Sequence, residues 1–203
     1  MSEKELVERV QRGDLSAFEE LIRPYEKKVF NLAYRMCGSV EDAKDLAQEA
    51  IVRAFSGLSS FRGDASFSTW LYRIASNACL DELRRRKRQP ADYLDEPVIT
   101  VDGEIRRQVA DPSQNPLEVV ERSELQQIIQ DSLTSLPEEY RVVVVLREIQ
   151  GFSYQEIAEI LNCSLGTVKS RLNRARKALK EKFTVLELFP STSVSKREEG
   201  GRQ

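Results

Sequence analysis

Thr167, Ser170, Asn173, Arg174 and Lys177, with Lys169 at their edge, fall on one side of a helix wound at about 100° per residue. These residue types suit hydrogen bonding to base edges, because Arg and Asn can each pair with a base in the major groove of duplex DNA. The elements that position them are written close by. Val168, Leu172, Ala175 and Leu179 form the opposite, apolar face. Upstream, Ser153 and Glu156 make a capping box for a shorter helix whose inner side is Ile157, Ile160 and Leu161. Asn162-Cys163-Ser164 interrupts it, and Ser164 is a natural N-cap for the next helix. Two short helices across a tight turn spell a helix-turn-helix. A hairpin with a merely solvated basic face would show the same sidedness, but caps, turn and sidedness together favour DNA.

Composition narrows the remaining classes. The chain of 203 residues, 40% hydrophobic and 32% charged, fits one large or two small domains, mostly helical. A formal net charge of −2 supplies no overall attraction for nucleic acid, so any DNA contact must come from local patches. There is no histidine, which removes the commonest general base and the commonest zinc ligand. No catalytic residue, metal site or cofactor is therefore expected, and the chain does not read as an enzyme. Cys37, Cys79 and Cys163 are far apart and outside any CxxC pair, as reduced and partly buried thiols would be. The first residues, MSEKELVERV, lack the apolar core of a signal peptide, and the longest aliphatic run, Val142 to Leu146, is too short to span a bilayer. A cytoplasmic location is expected.

Helical periodicity runs through most of the chain. Glu3 to Gln11 reads as a short helix; Ser16 to Met36 follows, with Pro24 placed to break or kink it. The segment after Gly38-Ser39 turns Ala43, Leu46, Ala47, Ala50, Ile51, Ala54 and Phe55 inward. It leaves Asp42, Asp45, Gln48, Glu49 and Arg53 outside, a stripe that is either solvated or a docking surface for a basic protein. An aromatic-rich loop around Phe61 leads into a helix containing Phe67, Trp70, Leu71 and Ile74, which ends in Arg84-Arg85-Arg86-Lys87-Arg88 before Pro90. Aromatics stack unpaired bases at roughly 1–3 kcal/mol each and cations hold phosphates, so this stretch suits single-stranded nucleic acid. Phe67 and Trp70 fit a core equally well, and Phe61 is the better base contact. Pro90, Pro97, Pro112 and Pro116 punctuate an acidic linker without periodicity. Helix resumes from Leu117 to Leu133, and Val142-Val143-Val144-Val145 reads as helix between Pro137 and Gly151.

Together DLAQEAIVRAF (45–55), SFRGDASFSTWLYRIASN (60–77) and LPEEYRVVVVLREIQGFSYQEIAEILNCSLGTVKSRLNRAR (136–176) resemble the extracytoplasmic-function (ECF) sigma factors of bacterial RNA polymerase, especially the sigma-E-like group. The likeness runs from Leu6 to about Lys182. It implies an all-α chain of two small helical domains: sigma domain two over 1–90, an acidic flexible linker over 91–117, sigma domain four over 118–186, and a disordered tail over 187–203. The first domain would recognise and help melt the minus-ten promoter element. Phe61, Arg62, Gly63, Asp64 and Ser66 match the pocket for a flipped base and Asn77 a base-contacting position, while Trp70, Arg84, Arg85 and Arg88 complete the candidate surface. The second domain would read the minus-thirty-five element through Thr167, Lys169, Ser170, Asn173 and Arg174, with Arg147 and Arg171 nearby. Asp42, Asp45, Gln48, Glu49 and Arg53 match the surface that docks on the beta-prime clamp helices. Ile51 stands where the family often has an aromatic, and Asn173 departs from the sigma-E-like residue, so the promoter sequence does not carry over.

The partners implied are core RNA polymerase, through the beta-prime clamp helices and the beta flap, promoter DNA, and an anti-sigma factor, membrane-anchored, that covers the polymerase-binding surfaces. Two other classes compete. A stand-alone helix-turn-helix regulator would explain the C-terminal motif but not an aromatic loop joined to a basic helix. A DNA-cleaving or recombining enzyme would need a nucleophile or clustered carboxylates, and none stands out.

Overall fold

Side chains able to bond the orphan N–H groups of a helix start divide this chain into helices. The computed structural model describes residues 1–88 and 116–185, with side chains from residue 124 onward in the second stretch. The N-terminal unit holds α1 (Glu3–Gln11), α2 (Leu15–Cys37), α3 (Val40–Gly57), a single 3₁₀ turn (Leu58–Ser60) and α4 (Phe67–Arg88). The C-terminal unit holds α5 (Pro116–Thr134), α6 (Glu138–Val144), a π-helical turn (Val145–Ile149), α7 (Tyr154–Ile160) and α8 (Leu165–Val185). No strand occurs among the described residues. Most of the expected linker and all of the expected tail lie outside them, except that α5 begins at Pro116. No described helix is long and apolar enough to cross a membrane.

Ser2 with Glu5 forms a capping box on α1, Asp14 caps α2 and Ser39 caps α3. The expected break at Pro24 does not occur, since α2 runs through it. Proline removes one helical N–H, but Pro24 is solvent-exposed, so the carbonyl it leaves unpaired can bond to water. Ala43, Ala50 and Ala54 are fully buried, and their small side chains let α3 lie against α2, where Leu21, Val29, Leu32 and Met36 fill the core. In the second unit Val142 to Leu146 are all buried, as the helical reading of that run requires. They pack with Ile157, Ile160, Val168 and Leu172.

The two units meet along a polar seam. Arg141, 8% exposed, donates to the carbonyls of Met36, Thr134 and Leu136. Met36 and Thr134 lie in the last turns of α2 and α5, where carbonyls have no helical partner, so one guanidinium closes two helix ends. Tyr72 on α4 donates to Gln150 Oε1 (2.6 Å) and meets the Phe152 ring edge-on at 4.6 Å. Gln150 hangs from the π turn, whose N–H reaches back to the Val145 carbonyl. Gly38 ends α2 with φ +81, and a Cβ there would sit 3.1 Å from Thr134 Cγ2, so both conformation and space call for glycine.

Candidate nucleic-acid interface

The helix-turn-helix is built from short-range bonds. Ser153 accepts from the Glu156 N–H, and the Glu156 carboxylate accepts from the Ser153 N–H at 2.7 Å. These bonds hold the Glu156 carboxyl below its ordinary range, the Ser153 side chain contributing most. At the turn Asn162 takes a left-handed φ of +47, which asparagine tolerates better than most residues, and Cys163 N–H returns to the Ala158 carbonyl. Ser164 then caps α8 by accepting from Thr167 N–H (3.0 Å). Val168, Leu172 and Ala175 are buried, which aims Lys169, Ser170, Asn173 and Arg174 at solvent.

Five of the expected minus-thirty-five residues are engaged within the unit, Ser170 among them through its hydroxyl, which donates to the Thr167 carbonyl (3.0 Å). Thr167 is half-buried beside the Ser164 hydroxyl (2.9 Å). Arg171 pairs with Glu139 (2.8 Å), and Arg174 reaches the Tyr140 hydroxyl (3.3 Å), a long and weak bond. Arg147, expected near the reading face, donates to the Phe152 carbonyl (2.8 Å) and lies over the Tyr154 ring, which braces the entry to α7.

In the N-terminal unit, α3 passes through the 3₁₀ turn into the loop that carries Phe61. Its ring is half-buried, 5.0 Å from Trp70 and 6.3 Å from Phe67. Phe67 is buried and Trp70 half-buried, so the first is core and the second forms a wall beneath Phe61. Arg62, Gly63 and Asp64 are exposed, with Gly63 at φ +78, a conformation open to glycine at little cost. Ser66 caps α4 by accepting from Thr69 N–H. Farther along, Asn77 is exposed, and so are Arg84, Arg85 and Arg88. Arg85 pairs with Glu82, Arg84 lies 3.6 Å from Asp81, and Arg88 bonds the Arg84 carbonyl.

The acidic stripe is narrower than the sequence suggested. Asp42 is half-buried and bonded by Arg86 (2.8 Å), which depresses its carboxyl pKa and ties α3 to α4. Asp45, Gln48, Glu49 and Arg53 are exposed, the last two as an ion pair (2.6 Å). Phe55, expected inside, is 41% exposed although its ring meets Phe18 edge-on, and Val52 beside it is 56% exposed. The outer face of α3 is thus acidic at one edge and apolar at the other.

Comparison with known proteins decides what this combination is. The family Sigma-70 region 2 matches residues 21–89, and Sigma-70, region 4 matches residues 126–179. The chain is 41% identical over 181 residues to the ECF RNA polymerase sigma factor SigW of Bacillus subtilis (strain 168), covering 89% of this chain and 96% of the relative. It is also 41% identical over 186 residues to the ECF RNA polymerase sigma-E factor of Escherichia coli (strain K12), covering 92% and 96%. This chain belongs to the ECF RNA polymerase sigma factors.

Two solved structures share the fold. RpoE, crystallised with the anti-sigma factor NepR from Bartonella quintana, gives a TM-score of 0.65 at 24% identity over 84% of this chain and 99% of that one. CnrH, solved with the cytosolic domain of CnrY, gives 0.62 at 23% identity over 92% and 97%. Within the present sigma factor, the structure gathers Phe61 to Ser66 with Trp70 on one surface and Lys169 to Arg174 on another. Sequence reasoning missed the apolar edge of α3, although Val52 and Phe55 stand four and seven positions beyond Gln48, on one helical face with it. It missed Gln11 and Tyr72 as well, whose partners lie too far away in the chain for any local pattern to reveal.

Proposed function

We infer that this sigma factor mounts on core RNA polymerase, directs it to particular promoters and helps open them, in the cytoplasm and without catalytic chemistry of its own. One observation carries the reading: both sigma-70 regions match, in order, within a chain aligned to sigma factors over about nine-tenths of its length. In this proposal α8 reads the minus-thirty-five element through Lys169, Ser170, Asn173 and Arg174. Phe61 and the exposed tip from Arg62 to Asp64 receive an unpaired base of the minus-ten element, over the Trp70 wall, while Asn77 and the Arg84, Arg85 and Arg88 cations follow the strand. A single helix-turn-helix offers a few base contacts, each worth about 1–3 kcal/mol of discrimination. Extracting a base costs a few kcal/mol, so promoter binding by the chain alone is weak, and polymerase supplies the effective concentration that joins the two contacts.

Docking on polymerase is assigned to Asp45, Gln48 and Glu49 with the neighbouring Val52 and Phe55. Replacing Asp45 and Glu49 together by lysine reverses the charge of the acidic edge and should abolish co-purification with core polymerase. Undiminished co-purification would reduce that edge to a solvated surface. Restraint by an anti-sigma partner, of the kind solved with RpoE, belongs to the same proposal. Run-off transcription with core polymerase on a genomic promoter library tests the whole reading. A palindromic footprint from the chain alone would instead favour a stand-alone regulator.

A further inference from the structure

The Gln11 carboxamide lies at the end of α1, next to the root of the Phe61 loop. Its Nε2 donates to the Leu58 carbonyl (3.0 Å) and to the Phe61 carbonyl (2.9 Å), using both hydrogens of the amide. Between those carbonyls the Phe61 N–H returns to the Leu58 carbonyl (3.1 Å), so the 3₁₀ turn and the amide grip the same two residues. Leu58 is fully buried, which fixes one end of the grip in the core. The Phe61 ring is fixed at the other end by Trp70 and Phe67. Helix α1 is itself held down, by Leu6 and Val7 in the core and by a bond from the Tyr25 hydroxyl to Glu3. It lies wholly outside the stretch that matches Sigma-70 region 2.

We propose that Gln11 is a positioning residue for promoter opening: it sets the backbone turn that presents Phe61, and α1 is the splint that carries it. The inference rests on the reading that this loop receives an unpaired base. An aromatic ring that must accept a base gains from being held in place beforehand, because ordering a loop on binding costs affinity. An amide donor suits the task because both acceptors are carbonyls. A carboxylate at the same place would set like partial charges against each other, whereas an ammonium could still donate to both.

The test uses holoenzyme assembled from core polymerase and the full chain, on a promoter fragment recovered by run-off selection and carrying 2-aminopurine in its minus-ten element. Gln11→Met keeps the side-chain length and removes both donors; it should slow the fluorescence rise of opening about tenfold. Affinity for core polymerase and preference at the minus-thirty-five element should stay as in the parent. Gln11→Lys, which restores a donor, should open within about twofold of the parent, a rescue that simple loss of packing would not give. Phe61→Ala separates the two layers of the argument. If Phe61→Ala opens slowly while Gln11→Met opens normally, the role of Gln11 is refuted and the loop reading stands. Normal opening in both overturns both, and slow opening in Gln11→Met alone would place its action elsewhere than on Phe61. Parallel loss of polymerase affinity and opening in Gln11→Met would make it a residue of general stability and overturn the assignment.

Discussion

The turn of the helix-turn-helix is held by its neighbours in the chain: Ser153 by Glu156, Ser164 by Thr167, Cys163 by Ala158. The loop that carries Phe61 is held from far away, by Gln11 across separations of 47 and 50 residues and by the Trp70 and Phe67 rings of the next helix. The difference matches the role proposed for each surface. A recognition helix reads a duplex whose edges are already in place, so side chains on a rigid rod are enough, and short-range caps with a packed apolar face make the rod. A loop that takes one base out of the stack has to hold its backbone open toward solvent. Local secondary structure would close it, so its shape is borrowed from elements already in the core.

The contrast predicts different failures. The largest effect belongs to the packing behind α8. Leu172 is 1% exposed, and Leu172→Ala should lower stability by about 2–5 kcal/mol, measured by denaturant unfolding. That loss should be seen first as weaker minus-thirty-five binding at raised temperature. A loss below about 1 kcal/mol would mean that α8 is not held by its apolar face. Next comes Phe61→Ala, which should impair opening by roughly 1–3 kcal/mol while duplex binding by the holoenzyme stays near that of the parent. Equal loss in both assays would make Phe61 a packing residue, like its neighbour Phe67. Arg174→Ala should do the converse, cutting discrimination at the minus-thirty-five element by roughly 1–3 kcal/mol and leaving opening on a pre-melted template unchanged. An unaltered preference across a library of such elements would remove Arg174 from the reading face.

Legibility follows the same line. The C-terminal motif could be read from sequence because its determinants repeat every three or four residues: the capping box, the Asn162 turn and the Val168, Leu172 and Ala175 face all stand where periodicity put them. The bracing contacts of Arg147 were not legible, because only the folded chain brings the Phe152 carbonyl and the Tyr154 ring around it. Asp42 looked like its neighbours Asp45 and Glu49 until Arg86, 44 residues on, took up its carboxylate. Pro24 looked like a breaker because propensity does not show that its side of the helix faces water. Family likeness could point to Phe61, but not to Gln11, whose only signal is two carbonyls from another part of the chain.

The smallest expected effect tests the local half of the contrast directly. Ser153→Ala removes the hydroxyl that caps α7 and should cost about 1 kcal/mol, the usual worth of such a cap. Its pH signature distinguishes a capping box from a simple cap. Because Glu156 is held below its ordinary value near 4.5, its contribution is fully present above that value and is lost as the pH falls through the depressed one. The Ser153 side chain is the first cause of that depression and its backbone N–H the second, so Ser153→Ala should shrink the acid-side loss of stability without abolishing it. Melts of parent and variant should therefore lie farthest apart near neutral pH and draw together in acid. Curves that stay parallel down to acid pH would mean that Glu156 works independently of Ser153, and that the reciprocal cap does not hold the motif's first helix.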